Sequence, residues 1–342
     1  MVIEAKDGVV IENVHITSPH GDCLRIVRSR HVTIRNVEIG PCAGNGVSIE
    51  GSDTVTVVDS YIHPQTQSPG CCDRNDGIFA VGTRNLLLQG NVVAFGESNI
   101  EVHDGTHVTI RGNFLLNPRG PTPRGQQIQC WSHAGDGAGP GCRNVAITNN
   151  YLLSSRDRRA YTLGEATEDS INLGYTAEAT ISNNFIGGGH SRSGCGMIAD
   201  KGARNIVFKG NRLVDTGQCG IGIADGTGNV VETNLVANRN PVSGAGNSGI
   251  YVWQFYGSKG RCANTRVTGN IAVARKPDGT HNGFWKGPGC DALVLANNHF
   301  DREALALIPS ARLQPPSIPP EPFTCAVRSP YSNNRSRLAC AK

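Results

Sequence analysis

One short module recurs along this chain and limits what it can fold into. It consists of an apolar-x-apolar pair, a small or polar residue, usually Asn, then another apolar residue. It reads VVIENVHI from Val9, VTIRNVEI from Val32, VTVVDSYI from Val55, LLLQGNVV from Leu86 and VTIRGNFL from Val108. Later copies are VAITNNYL from Val145, ATISNNFI from Ala179, IVFKGNRL from Ile206, NVVETNLV from Asn229, TRVTGNIA from Thr265 and LVLANNHF from Leu293. With Asn13, Asn36, Asp59, Gly90, Gly112, Asn149, Asn183, Gly210, Thr233, Gly269 and Asn297 taken as equivalent, the shortest steps are 22 to 23 residues. Longer steps are that period plus an insertion. A second strand-like run precedes most copies, such as LRIV from Leu24, VSIE from Val47, IFAV from Ile78, IEVH from Ile100, IQCW from Ile128 and IYVW from Ile250.

A unit this short cannot bury its apolar face alone and is stable only when stacked on copies of itself. Leucine-rich repeats share the period, but the LxxLxLxxN pattern is missing and each unit offers strands where a helix would be needed. The 43 glycines and 6% aromatic content agree with many short strands and tight turns. The repeat therefore predicts an all-β, right-handed parallel β-helix solenoid of about eleven coils over residues 1–300. Residues 301–342 leave the repeat. DREALALI, from Asp301, reads as a short helix over the last coil, and a proline-rich extended tail follows, covering a strand edge that would otherwise aggregate.

Twelve cysteines with no zinc or iron-sulfur spacing read as disulfides, which implies an oxidising compartment, secreted or periplasmic. Cys23 with Cys42, Cys130 with Cys142, Cys195 with Cys219, Cys262 with Cys290 and Cys325 with Cys340 are the pairings expected from neighbouring coils, while adjacent Cys71 and Cys72 require partners elsewhere. No signal peptide is visible, and Met1 reads as a processed start. No apolar run reaches the length of a membrane span. A net charge of +4 is too mild to indicate nucleic acid. The expected partner is a polysaccharide or oligosaccharide, bound by a monomer.

In a parallel solenoid, equivalent residues stack at about 4.8 Å, so aligned coils map a sheet face. With Ile100 and Val102 inward, Glu101 and His103 point out. The Glu101 column runs Arg25, Ser48, Phe79, Glu101, Gln129, Asn172, Gly222, Tyr251 and Trp285, and the His103 column Val27, Glu50, Val81, His103, Trp131, Ala199, Ala224 and Trp253. Singly, Glu101 or His103 could be an ordinary exposed residue. Beside Glu50, Asp76, Gln129 and Trp131 they form a candidate sugar-binding face. Insertions at 63–76, 117–143, 154–178, 239–264 and 275–290 add Arg119, Arg124, His133, Arg156, Arg158, Arg159, Tyr161, Tyr256, Lys259 and Lys286. Long loops on a regular scaffold are where binding residues concentrate.

The V-x-I-x-x-N-x-(I/L/F) module resembles the coil signature of the pectate-lyase-like superfamily over residues 1–300. The resemblance implies a carbohydrate-active enzyme working on the exposed sheet, either a polysaccharide lyase or a glycoside hydrolase. Residues 97–120, ESNIEVHDGTHVTIRGNFLLNPRG, are similar to the alginate- and chondroitin-cleaving lyases, which appear with a Lys base where this chain has His103. The implied roles are Glu101 as a metal-binding or orienting carboxylate, His103 as base, and Arg119 or Arg124 as the cation that neutralises a uronate carboxylate, a role calcium could also fill. GDCLRI from Gly21 and GNGVSIEGS from Gly44 resemble polygalacturonase-type hydrolases, but Gly21 and Asn45 replace that family's Asp and His. Its catalytic set is therefore not carried over, and Asp22, Glu50, Asp76 and Glu101 remain as a different carboxylate set. The expectation is β-elimination on a uronate-containing polysaccharide, with Phe79, Gln129, Trp131, Tyr251, Trp253 and Trp285 contacting the sugar. Inverting hydrolysis and non-catalytic glycan binding are the alternatives.

Overall fold

A computed structural model describes residues 1–64, 75–120, 123–134, 139–154, 167–189, 191–257 and 260–314. Cys71, Cys72, Arg156, Arg158, Arg159, Tyr161, Lys259, Cys325, Cys340 and the proline-rich tail lie outside them. The repeat folds as a solenoid of parallel strands. Two sheets have 11 strands each and a third has 10, and each coil contributes one strand to each of them in chain order, save the last, which adds none to the third.

Alternation sets which side chains are inside. In the second sheet, Val55 and Val57, Leu86 and Leu88, Val108 and Ile110, and Val145 and Ile147 stack in register and are almost fully buried. In the first sheet Leu24 and Ile26, Val47 and Ile49, Ile78 and Ala80, and Ile100 and Val102 do the same. The three walls thus share one continuous core.

The module's Asn does two jobs. Every residue of the aligned column, Asn13 through Asn297, has positive φ, between 48° and 67°. This left-handed corner turns the chain from the second sheet into the third, and Asn, Asp and Gly tolerate it best. The next residue points inward. Asn91, Asn113, Asn150, Asn184, Asn211, Asn234, Asn270 and Asn298 form a ladder in which each Nδ2 donates to the following Oδ1 at 2.9 to 3.0 Å. Each Nδ2 also donates to a backbone carbonyl, as Asn150 does to Ile110 at 2.9 Å. The buried amides are thereby satisfied. Thr233 is the one β-branched residue in the corner column, at φ 55°. Thr233→Gly should therefore raise stability by about 1 kcal/mol, read from the urea midpoint.

The disulfides Cys23–Cys42, Cys195–Cys219 and Cys262–Cys290 form as expected. Cys130 and Cys142 do not: they are free and buried. Their thiols adjoin, and Cys142 Sγ donates to the Val102 carbonyl at 3.3 Å, so the pair packs as two small hydrophobes with a weak hydrogen bond. The end segment also differs in detail from its expectation. It forms 3-10 turns, Arg302–Leu307 and Ser310–Leu313, whose Leu305, Ile308 and Leu313 cover Leu235, Ala237 and Ile271 on the outer face of the third sheet, not the open end. No helix among the described residues is long and apolar enough to cross a membrane.

Candidate functional site

The outer face of the first sheet carries a groove of about 1050 Å³. At its centre lies strand Ile100–His103, whose inward Ile100 and Val102 send Glu101 and His103 outward. His103 Nε2 is 2.7 Å from Glu101 Oε1, and Arg124 Nη1 donates to the same oxygen at 2.9 Å. Gln129, on the next strand in register with Glu101, accepts from Arg124 at 3.3 Å. Phe79, one strand before, sets its ring edge-on to His103 at 5.4 Å, and the exposed His133 stands 5.7 Å away on the other side. His103 Nδ1 is buried and has no protein partner.

Asp76 completes the cluster. It stands two residues before strand Ile78–Val81, accepts from the Ser98 backbone at 2.9 Å and shares a hydrogen bond with Glu101. Burial raises the Asp76 carboxyl well above the ordinary range, and the Glu101 charge adds to this. Burial pushes Glu101 the same way, but the His103 hydrogen bond and the Arg124 charge outweigh it and hold Glu101 low. The two adjacent carboxyl groups are thus driven apart, Asp76 up and Glu101 down.

Other expected residues fall elsewhere. Glu50 lies in the same column two strands before His103 and is paired with Arg25 at 3.0 Å. Arg119 does not line the groove: it is 3% exposed, and its guanidinium donates to the Phe95 carbonyl at 2.8 Å and to Asn75 Oδ1. It braces the turn that carries Asp76, so of the two expected arginines Arg124 is the one that faces the groove. Trp131 lies flat along the sheet because the next strand offers Gly174, where a Cβ would stand 1.9 Å from the indole. Tyr251, Trp253 and Trp285 line a second cavity of about 570 Å³. They sit five and six strands from Glu101, about 24 Å or more away.

The expected His103 column is also corrected. Register places Gly174 and Asp200 in it where Ala199 was expected, and Ile198 joins the Glu101 column. Asp200 therefore faces the groove, as does Asp169. Asp169 accepts from the Cys195 backbone at 2.7 Å and from Asn172 at 2.8 Å, and Asp200 accepts from the Tyr256 hydroxyl at 2.5 Å. Burial raises both carboxyl groups, Asp169 strongly. Below the ordinary carboxylate range Asp169 is neutral in both folded and unfolded states. Above it the unfolded chain ionises first, so stability falls as pH rises until the folded group also ionises. Asp169→Asn should therefore raise the melting temperature at pH 8 and leave it nearly unchanged at pH 3, as read by thermal scans at both values.

Calcium does not fit the centre. It takes 6 to 8 oxygen ligands, whereas Glu101 is already faced by an imidazole and a guanidinium, and no group of three or more metal-ligating side chains gathers among the described residues.

Residues 2–120 match a family model described as a right handed beta helix region. No curated protein is matched by sequence. Among solved structures, the chain is similar to the Dettilon tailspike protein at TM-score 0.60 and 14% identity, covering 87% of this chain and 58% of that one. It is similar to the catalytic unit of a GH87 alpha-1,3-glucanase from Streptomyces thermodiastaticus at TM-score 0.55 and 14% identity, covering 78% of this chain and 49% of that one. A DFA-IIIase from Arthrobacter chlorophenolicus in complex with GF2 aligns at TM-score 0.53 and 14% identity, covering 81% of this chain and 66% of that one. The chain thus spans between half and two thirds of the length of these structures. Strand order, register and these likenesses agree: the chain is a right-handed parallel β-helix.

Proposed function

We propose that the protein is a secreted or periplasmic polysaccharide lyase that binds a uronate-containing chain along the groove and cleaves it by β-elimination at the Asp76, Glu101, His103 and Arg124 cluster. The observation that carries this reading is the joining of two adjacent carboxyl groups, Glu101 and Asp76, with an imidazole and a guanidinium within one patch of the groove, Asp76 being pushed up and Glu101 held low. With Asp76 neutral and Glu101 paired to Arg124, no uncompensated negative charge repels a uronate there.

The residues divide the labour as follows. With Nε2–H donating to Glu101, His103 is left with Nδ1 as its proton acceptor, and Glu101 orients the ring. Arg124, the solvent-reachable cation, turns to the uronate carboxylate and stabilises the charge that develops when the C5 proton leaves. His103 takes that proton, the electron pair forms the C4–C5 double bond, and the C4–O4 bond breaks. Asp76 gives its proton to the departing O4. Activity should be unchanged by a chelator, because Arg124 supplies the cation.

A second reading is hydrolysis. Asp169 and Asp200, in carboxylate-raising surroundings on the same face, resemble the acid and base that inversion requires. Ultraviolet absorbance of the unsaturated uronate, followed together with reducing ends on acidic and neutral polysaccharides, separates the two. Absorbance rising with reducing ends supports elimination. Reducing ends alone support the carboxylates, and neither signal leaves a glycan-binding solenoid.

A further inference from the structure

Three strands beyond Glu101, about 14 Å along the sheet, the groove opens into the second cavity. One wall is a run of aromatic rings in edge-to-face contact. Tyr251 to Trp285 is 6.3 Å, Trp285 to Trp253 is 5.3 Å, Trp253 to Phe255 is 4.8 Å and Phe255 to Tyr256 is 5.0 Å. Two glycines allow the rings to lie along the sheet. A Cβ at Gly222 would stand 2.6 Å from the Tyr251 ring, and one at Gly287 would stand 2.3 Å from Trp253. Trp285 remains 41% exposed, an indole presented to the cavity with little covering it.

The floor has the opposite chemistry. Asp169, Asp200 and Glu168 line it. Where it meets the main groove, Asn172 is 5% exposed and its Oδ1 is buried with no hydrogen-bond partner. A buried acceptor left unpaired costs free energy that a donor from a ligand would recover. Hydroxyl groups are such donors, and the C–H face of a pyranose suits the indole and phenol rings. Arg192 and Lys276 line the same cavity as these three carboxyl groups, so it offers a uronate no excess of positive charge.

We propose that this aromatic pocket binds an uncharged pyranose residue of the substrate. This rests on the uronate reading of the Glu101 cluster and extends it: the substrate is a mixed polysaccharide, with a uronate at Arg124 and a neutral sugar about 24 Å further on, where the rings stand. The carboxyl groups of the cavity accept its hydroxyls, Tyr251, Trp253 and Trp285 hold its faces, and Asn172 meets the part of the chain between it and the uronate.

The test is isothermal titration calorimetry of the full chain carrying His103→Ala, which prevents turnover. The probes are cellohexaose, laminarihexaose and maltohexaose, with hexamannuronate and hexagalacturonate as acidic counterparts. At least one neutral probe should bind, and adding Trp285→Ala, a change at an exposed ring that leaves the core intact, should weaken it tenfold or more. Trp253→Ala should do the same, while hexauronate binding stays within twofold in both. The proposal is overturned if no neutral probe binds, if both tryptophan variants bind it unchanged, or if they weaken the hexauronates equally. Failure of the elimination reading shows separately, as absence of unsaturated product with the unmodified protein, and leaves the neutral-sugar titrations readable.

Discussion

His103→Ala should lower kcat on an oligouronate by about 10²- to 10⁴-fold, the usual contribution of a positioned acid or base, with the thermal melt little changed. The ring sits on the outer face, so its removal opens no cavity in the core beneath Ile100 and Val102. Glu101→Gln keeps the shape and removes the charge that orients His103 and pairs with Arg124. It should lower kcat in the same direction with a smaller effect on KM. Arg124→Ala should raise KM as well as lower kcat, since in the proposed mechanism its guanidinium meets the substrate carboxylate before and during the reaction. Full activity in the His103 and Glu101 variants would remove this cluster from the chemistry. A loss explained by unfolding would show as a lowered melting temperature.

The largest stability effect should come from the middle of the asparagine ladder. Asn150 Oδ1 accepts from the Asn113 backbone and side chain, both at 2.9 Å, and its Nδ2 donates to Ile110 and Asn184. Asn150→Ala removes these four buried hydrogen bonds, at about 0.5 to 1.5 kcal/mol each, a total loss of about 2 to 6 kcal/mol. Asn298→Ala, at the last rung, should cost clearly less, because Asn298 is only half-buried and water can reach the groups it leaves. Urea midpoints for the two variants check this. Equal losses would mean that the ladder is not a buried network whose energy depends on position.

The sequence made the coil legible because its two periodicities are independent. Period 2 marks the inward Val and Ile pairs, and period 22 to 23 marks the coil, so fold and inward face follow together. The corner column was legible for the same reason: Asn, Asp and Gly recur where φ must be positive. What the sequence hid has local physical causes. Strand Cys195–Asp200 carries Ile198 outward, 7% exposed and packed beside Cys195, Cys219 and Ala224. With apolar residues on both faces, alternation has no phase, and Asp200 is displaced by one position. Arg119 and Arg124 look equivalent in NPRGPTPRG, but only the fold turns Arg124 to the groove and Arg119 beneath it. Spacing also cannot tell a disulfide from two packed thiols, as at Cys130 and Cys142. The aromatics of the two columns read as one face, whereas stacking distance separates Trp131 beside the cluster from Tyr251, Trp253 and Trp285 in their own pocket.

The central claim is removal of the C5 proton by the Glu101 and His103 pair, and NMR in D2O on a defined oligouronate measures it directly. The account predicts that each cleavage removes one C5 proton signal and creates one C4 vinyl signal, and that His103→Ala abolishes both. Cleavage with every C5 proton retained would contradict it and move the chemistry to Asp169 and Asp200.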